Sequence, residues 1–264
     1  MFLEAANFLG GLVGIFGVVL GAASLYASNP TVQLAGLIAA TATLILTVGW
    51  GAYRSFPPTL KDLASCVGTH LTLKELDGVT PRPLLVGLVG PSNVGKSTLL
   101  NHVVQQVPPP RRTDNVSVAI VALQLSPPAY IGIVDGAGQK FAQQFSITSV
   151  ADALLVLADH THSDQLPALQ AERLKVHEDF SKQLQDHIVD QGARAVAHVH
   201  LLLNKMDLWQ SDPSRPQLVK WFEDTLVASW KNGNWAKSVT RAHHSNNVPA
   251  NVTDVAEILR GLAK

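Results

Sequence analysis

Charge is what the first fifth of this chain lacks. No Asp, Glu, Lys or Arg occurs from Ala5 to Tyr53, although the whole chain carries 20 basic and 20 acidic residues. Their balance gives a formal net charge of zero, so no global field points to nucleic acid as a partner. Cysteine is nearly absent. Cys66 alone excludes an intramolecular disulfide and suits a reducing compartment. Cys/His spacings of the kind that hold a metal are missing too. The pairs His160/His162, His198/His200 and His243/His244 read as scattered surface or loop histidines rather than ligands. No internal repeat or low-complexity segment divides the 264 residues, a length that bounds one large or two small domains.

The uncharged window holds two apolar stretches, Phe8–Ala27 and Val32–Tyr53, separated by the turn signal Ser28-Asn29-Pro30-Thr31. Each has about the 20 residues that a helix needs to cross the hydrocarbon core. The reading is a transmembrane helical hairpin, residues 1–56, placed in the lipid bilayer. Tyr26 at one end and Trp50, Tyr53 and Phe56 at the other fit interfacial aromatic belts. A signal peptide would open with a basic region, whereas this N-terminus carries Glu4 and no Lys or Arg. Gly10, Gly14, Gly17 and Gly21 fall on one helical face, a pattern that favours close helix packing within the hairpin or between protomers of a homo-oligomer. Arg54, Lys61 and Arg82 come after the second stretch, which sets the C-terminal part in the cytoplasm. Residues 57–83 read as a linker, with Leu60, Leu63, Ala64, Val67 and Leu71 at the spacing of a short amphipathic helix.

From Leu84 onward the chain has a different grammar. Gly90-Pro91-Ser92-Asn93-Val94-Gly95-Lys96-Ser97 fits G-x-x-x-x-G-K-[ST], the phosphate-binding loop. It lies between the apolar run Leu84–Val89 and a predicted helix over 96–106. Backbone N–H groups and the helix N-terminus then converge on one anion site. Gly90, Ser92, Asn93, Val94, Gly95 and Thr98 would cradle phosphate, Lys96 would reach the β- and γ-phosphates, and the Ser97 hydroxyl would ligate Mg²⁺. Further apolar runs at 116–125, 129–134, 153–158, 196–203 and 237–242 alternate with predicted helices at 165–190, 215–231 and 252–261. Such alternation argues an α/β fold, a mainly parallel sheet with helices on both faces. Ser126-Pro127-Pro128 reads as a hairpin connection that makes one edge antiparallel.

Residues 84–264 resemble a P-loop GTPase of the translation-factor-related class, near the Ras-like and Era-like families. The resemblance implies a three-layer sandwich. It also implies GTP/GDP and Mg²⁺ as ligands, slow GTP hydrolysis without an activator, and a protein effector or activator as partner. Thr113, in a polar loop before a strand, corresponds to the switch I threonine that completes Mg²⁺ coordination, with Ser117 the weaker alternative. Asp135-Gly136-Ala137-Gly138-Gln139 resembles the D-x-A-G-Q form. Asp135 would hold Mg²⁺, the Gly138 N–H would meet the γ-phosphate, and Gln139 would orient the attacking water. Asn204-Lys205-Met206-Asp207 matches N-K-x-D. The Asp207 carboxylate can accept from guanine N1–H and N2–H₂, Asn204 would brace the purine, and the Lys205 stem would lie over it. Ser245-Asn246-Asn247 ahead of Asn251-Val252 resembles S-A-K-x-x-x-N-V without its alanine and lysine, which makes Ser245 and Asn246 base-side contacts. Asn93-Val94-Gly95-Lys96-Ser97-Thr98-Leu99-Leu100-Asn101 resembles Era-like and ferrous-iron-transporter G domains, some of which use an asparagine at the Asn93 position to bind K⁺. Those families usually lack a glutamine at the position of Gln139. Two hydrolysis strategies therefore stand side by side, and the sequence does not choose. Arg111 and Arg112 read as an exposed basic pair. The whole reads as a membrane-anchored GTPase switch, with a slow or non-hydrolysing receptor or scaffold subunit as the alternative.

Overall fold

A computed structural model describes residues 29–55, 60–103, 115–123, 129–137, 140–163, 165, 168–190, 196–233 and 235–262. The chain divides between residues 59 and 60 into two units. The first is described by one helix, α1 (Pro30–Ser55). Pro30 starts it without losing an intrahelical bond, and the Asn29 side chain accepts from the Thr31 N–H at 2.9 Å. Its threonines satisfy themselves: Thr41, Thr43 and Thr47 donate to the carbonyls of Leu37, Ala39 and Thr43, each at 2.8 Å. That local pairing lets a hydroxyl sit in an apolar medium. Over Pro30–Thr47 the helix is long and apolar enough to cross a membrane, and it is the one such helix among the described residues. The other predicted span, Phe8–Ala27, with Gly10, Gly14, Gly17 and Gly21, lies outside the described residues.

The second unit is an α/β domain. Its elements are β1 (Lys61–Asp62), β2 (His70–Thr72), α2 (Leu73–Leu76), β3 (Val79–Thr80), β4 (Leu84–Val89), α3 (Lys96–Val103), β5 (Ser117–Leu123), β6 (Ala129–Asp135), α4 (Phe141–Val150), β7 (Ala153–Ala158), α5 (Ala171–Asp190), β8 (Val196–Leu203), α6 (Met206–Trp209), α7 (Arg215–Trp221), α8 (Ala228–Asn232), β9 (Ala236–His243) and α9 (Pro249–Leu262). Seven strands form one sheet in the order β2-β5-β6-β4-β7-β8-β9. From β6 to β9 all neighbours are parallel, and β5 runs antiparallel to β6. Because β4 and β7 are buried on both faces, they read as continuous apolar runs rather than alternating ones. One core holds Leu85, Val89, Ile147, Phe180, Trp209, Phe222 and Trp230 on the side of α4, α5 and α6–α8. The other holds Val86, Leu88, Leu99, Val255 and Leu259 under α3 and α9.

Four expectations change. The helical spacing of Leu60, Leu63, Ala64, Val67 and Leu71 does not make a linker helix. The segment instead forms β1, one 3₁₀ turn (Leu63–Cys66), β2, α2 and β3. The decisive residue is Gly68, at φ +77°. Its N–H donates to the Ile120 carbonyl at 3.0 Å, and the Ile120 N–H returns a bond to the Thr69 carbonyl at 3.2 Å. Backbone pairing with the outer edge of β5 thus replaces helix formation. Leu63, Cys66, Leu71, Leu76 and Val79 are buried, whereas Leu60 is left exposed. Consequently β5, though antiparallel as foreseen, is not the edge strand: β2 covers it, also antiparallel. The helix predicted from Gln165 starts at Ala171, because Gln170 is tied back to the loop after β7. Its N–H donates to the His160 carbonyl at 3.0 Å and its side chain accepts from the His162 N–H at 3.1 Å. The segment predicted as one helix over 215–231 runs α7, a π-turn over Phe222–Val227, then α8.

Candidate functional site

The phosphate loop leaves β4 at Gly90, where φ is +154°, and reaches α3 through Asn93 at φ +63° and Gly95 at φ +95°. These left-handed steps turn the chain within six residues and leave the α3 N-terminus at the end of the parallel strands, where such sheets bind ligands. Lys96 folds back across the loop. Its Nζ donates to the Gly90 carbonyl at 2.6 Å and to the Pro91 carbonyl at 2.9 Å, and the side chain is buried. Burial pulls the ammonium down to about 8, with Asp135 resisting the shift. Ser97 and Thr98 sit exposed in the first turn of α3, and Asn93 is exposed at the loop tip.

Asp135 ends β6 and is buried, with its Oδ1 lacking a hydrogen-bond partner. Burial raises its carboxyl above the usual range while Lys96 pulls it down. A buried carboxylate with an orphaned oxygen beside a lysine and the α3 N-terminus fits a hard divalent cation, which takes oxygen ligands. Ser117 stands opposite Asp135 in the sheet register. Thr113, Gly138 and Gln139, with Arg111 and Arg112, lie outside the described residues.

The base-side loops meet the phosphate loop directly. Asn204 leaves β8 and its Nδ2 donates to the Val94 carbonyl at 2.8 Å. Asn246, beyond β9, donates to the next carbonyl, Gly95, at 2.9 Å. Two amides from separate loops thus clamp consecutive peptides of the phosphate loop. The Asn204 Oδ1 is buried without a hydrogen-bond partner. Asp207 accepts from the Ser245 hydroxyl at 2.5 Å and from the Asn247 amide at 2.9 Å. Partial burial pushes its carboxyl up, but those two donors outweigh it and hold it below the usual carboxylate range. Lys205, in the left-handed conformation at φ +61°, sends its Nζ to the Thr161 and Ser163 carbonyls at 3.1 Å each. Gly95, Thr98, Asn204, Lys205, Asp207, Leu208, Asn246 and Asn247 surround a cavity of about 190 Å³. Ser97, Asp135 and Lys96 are not among its lining residues.

Residues 85–205 match the family model described as a 50S ribosome-binding GTPase. Over those residues the chain matches a P-loop GTPase G domain. A solved structure similar to it is a bacterial selenocysteine-specific elongation factor, EF-Sec, at 15% identity and a TM-score of 0.49, covering 68% of this chain and 28% of that one. The chain therefore spans little more than a quarter of that factor's length. No curated protein matches the sequence.

This G domain also uses residues that sequence reasoning missed. Gln144 of α4, fully buried, accepts from the Gly90 N–H at 3.3 Å and donates to the Gly136 and Ala137 carbonyls at 3.4 and 3.3 Å. It ties the phosphate loop to the loop after Asp135. Asn247 shares the Asp207 carboxylate. Asp159 directly follows β7 as Asp135 ends β6, and that position at a strand's C-terminal end was a readable signal. Gln144 and Asn247 carry none in the sequence. The histidine pairs are not scattered over surface and loops as expected: His160, His200 and His244 are buried, and His198 and His200 lie in β8, where they bond Ser238 and Thr240 at 2.6 Å each. Among the described residues no group of three or more His, Cys, Asp or Glu could hold a metal.

Gly95 is the tightest point of the G domain site. A Cβ there would lie 2.5 Å from the Asn204 Nδ2 and 2.7 Å from the Asn246 Nδ2. Gly95→Ala is therefore expected to break both clamps. It should cost about 1–3 kcal/mol of stability from the left-handed backbone alone, read by chemical denaturation, and it should weaken guanine nucleotide binding more than phosphate-free controls of folding would suggest.

Proposed function

We propose that the chain is a membrane-anchored GTP-binding protein that hydrolyses GTP with Mg²⁺ and acts as a nucleotide-dependent switch at the cytoplasmic face. The observation that carries this reading is the pair of amide clamps from Asn204 and Asn246 onto Val94 and Gly95. They join a phosphate-binding loop to an acidic base-reading loop across a single cavity. In this reading the amides around Gly90, Ser92, Asn93, Val94, Gly95 and Thr98 hold the phosphates with Lys96. Ser97, Thr113 and Asp135 would hold Mg²⁺, which supplies charge neutralisation on the phosphate oxygens. Gly138 would sense the γ-phosphate and Gln139 would place the water. Asp207 would read the guanine Watson–Crick edge, with Asn204, Lys205, Ser245 and Asn246 framing the base. Phosphoryl transfer of this kind is mostly positioning and electrostatics.

The anchor rests on α1, whose described side chains are mostly exposed and apolar, and on the uncharged stretch before it. A hairpin of two spans would put the residues before it on the same side as the G domain, and the basic residues Arg54, Lys61 and Arg82 after it support a cytoplasmic side by the positive-inside bias. The glycine face of the first span would serve packing between spans or protomers.

The test uses the full-length chain in detergent micelles or nanodiscs. Binding of GDP and GTP should exceed that of ADP and ATP, phosphate release should require Mg²⁺, and turnover in K⁺ against Na⁺ should decide whether Asn93 recruits a monovalent cation. Equal affinity for adenine and guanine nucleotides would overturn the assignment. Tight GTP binding without phosphate release would replace the switch by a scaffold or receptor subunit.

A further inference from the structure

Behind the phosphate loop lies a buried charged cluster in which Lys205 alone has a role above. Arg173, in the first turn of α5, is 1% exposed. Its Nη2 donates to the Ser92 carbonyl of the phosphate loop at 2.9 Å, its Nε to Asp159 Oδ1 at 2.5 Å, and its Nη1 lies 3.2 Å from His162 Nδ1. Asp159 is wholly buried and meets two further groups, His177 Nε2 at 2.8 Å and the Lys205 ammonium at 2.9 Å. One carboxylate therefore binds both the arginine that grips the phosphate loop and the lysine of the base-reading loop.

Such a cluster is an expensive way to fill space. Burying ions costs more than packing apolar side chains of the same volume unless geometry and further hydrogen bonds compensate. Here the geometry does something that apolar packing does not. A planar guanidinium spans two acceptors in fixed directions, so Arg173 sets the Ser92–Asn93 peptide, the step at which the loop turns left-handed. The charge balance points the same way. Two cations, Arg173 and Lys205, share the one Asp159 carboxylate, and the guanidinium also reaches the Ser92 carbonyl, so positive charge is left beside the phosphate loop, where an anion would complete it.

We propose that Arg173 is a positioning residue for the diphosphate cradle, and that Asp159 couples it through Lys205 to the base-reading loop. This rests on the guanine nucleotide reading of the site. Arg173 touches no nucleotide; it acts through the Ser92 carbonyl. Removing it should cost the phosphate half of the ligand while sparing the base half, whose Lys205–Asp159 pair remains. Removing the Asp159 charge should cost both halves.

The experiment compares GDP with guanosine, the same base without phosphate, by competition on the full-length protein. Arg173→Gln is expected to weaken GDP by about tenfold or more, because the Ser92–Asn93 peptide is no longer held in place for the phosphates, and guanosine by less than about twofold on the same scale. Asp159→Asn is expected to weaken both. Arg173→Lys keeps the charge but not the two-way span, and should fall between wild type and Arg173→Gln. A purely structural arginine would lower both ligands together, so an unchanged GDP-to-guanosine ratio in Arg173→Gln overturns the proposal. Should that variant fail to fold, the ratio in Arg173→Lys decides in the same way. Wild-type protein that binds no GDP would overturn the nucleotide reading itself, whereas wild-type binding with an unchanged ratio in the variants removes only the role of Arg173.

Discussion

Replacing Lys96 by alanine is expected to lower GTP turnover by about a thousandfold, in line with the loss of a preorganised donor from developing charge. Nucleotide affinity should fall as well. The ammonium is already buried and held by the Gly90 and Pro91 carbonyls, so it is placed before the ligand arrives. Its pH behaviour gives a second readout. Without ligand the group titrates near 8, and a bound phosphate, which favours the charged form, would raise that value. GDP affinity should therefore hold below pH 8 and fall by up to about tenfold per pH unit above it. Stability should move in the opposite direction. The folded value is depressed below the ordinary lysine value of 10.5, so between about 8 and 10.5 the unfolded chain binds more protons, and Lys96 makes the folded state more stable as pH rises. Affinity falling while its ligand-free stability contribution rises is a signature that general alkaline unfolding would not give. Lys96→Arg, which stays charged throughout, should remove the break near pH 8. A break that persists in Lys96→Arg would assign it to another group.

The distance between motif and mechanism depends on how far the partners lie along the chain. The phosphate loop was legible because its constraint is local: glycines at φ +154° and +95°, a lysine, and a hydroxyl within eight residues. Asp135 obeys a similar logic, ending an apolar strand; Asp159, directly after β7, carried the same signal but was not read as a site residue. The strand pattern of 84–89, 129–134, 153–158 and 196–203 gave the parallel sheet for the same reason, since doubly buried strands read as apolar runs. The segment 60–80 misleads because its apolar spacing suits a helix as well as a set of short strands. What decides is a bond between the Gly68 N–H and the distant Ile120 carbonyl, together with a positive φ. Arg173 and Gln144 were illegible for a sharper reason. On their helices they look like surface polar residues at ordinary spacing, and only the fold brings one to Ser92 and the other to Gly90.

Asp207→Asn is expected to weaken GDP by about a hundredfold or more and to shift preference toward xanthine nucleotides. Guanine presents two donors, N1–H and N2–H₂, to the site. A carboxylate offers two acceptors, and the Ser245 hydroxyl and Asn247 amide, outweighing partial burial, keep Asp207 ionised at neutral pH. An asparagine offers one acceptor and one donor. Against guanine it sets N–H toward N–H, which forfeits one charge-assisted bond and leaves a donor unmatched. Sites built around a polar edge reject the wrong partner strongly for this reason. Xanthine carries N1–H beside a C2 carbonyl, which an amide matches with one bond in each direction. Adenine carries neither pattern, so ATP should gain nothing. The Ser245 hydroxyl can turn to either atom of the new amide, so the loop should keep its shape, and Ser245→Ala should cost far less than Asp207→Asn. Competition binding with GDP, xanthosine diphosphate and ADP reads all three. Unchanged GDP affinity in Asp207→Asn would show that the base does not sit against this carboxylate. A loss without any gain for xanthosine diphosphate would show that Asp207 holds Ser245 and Asn247 in place rather than reading the base.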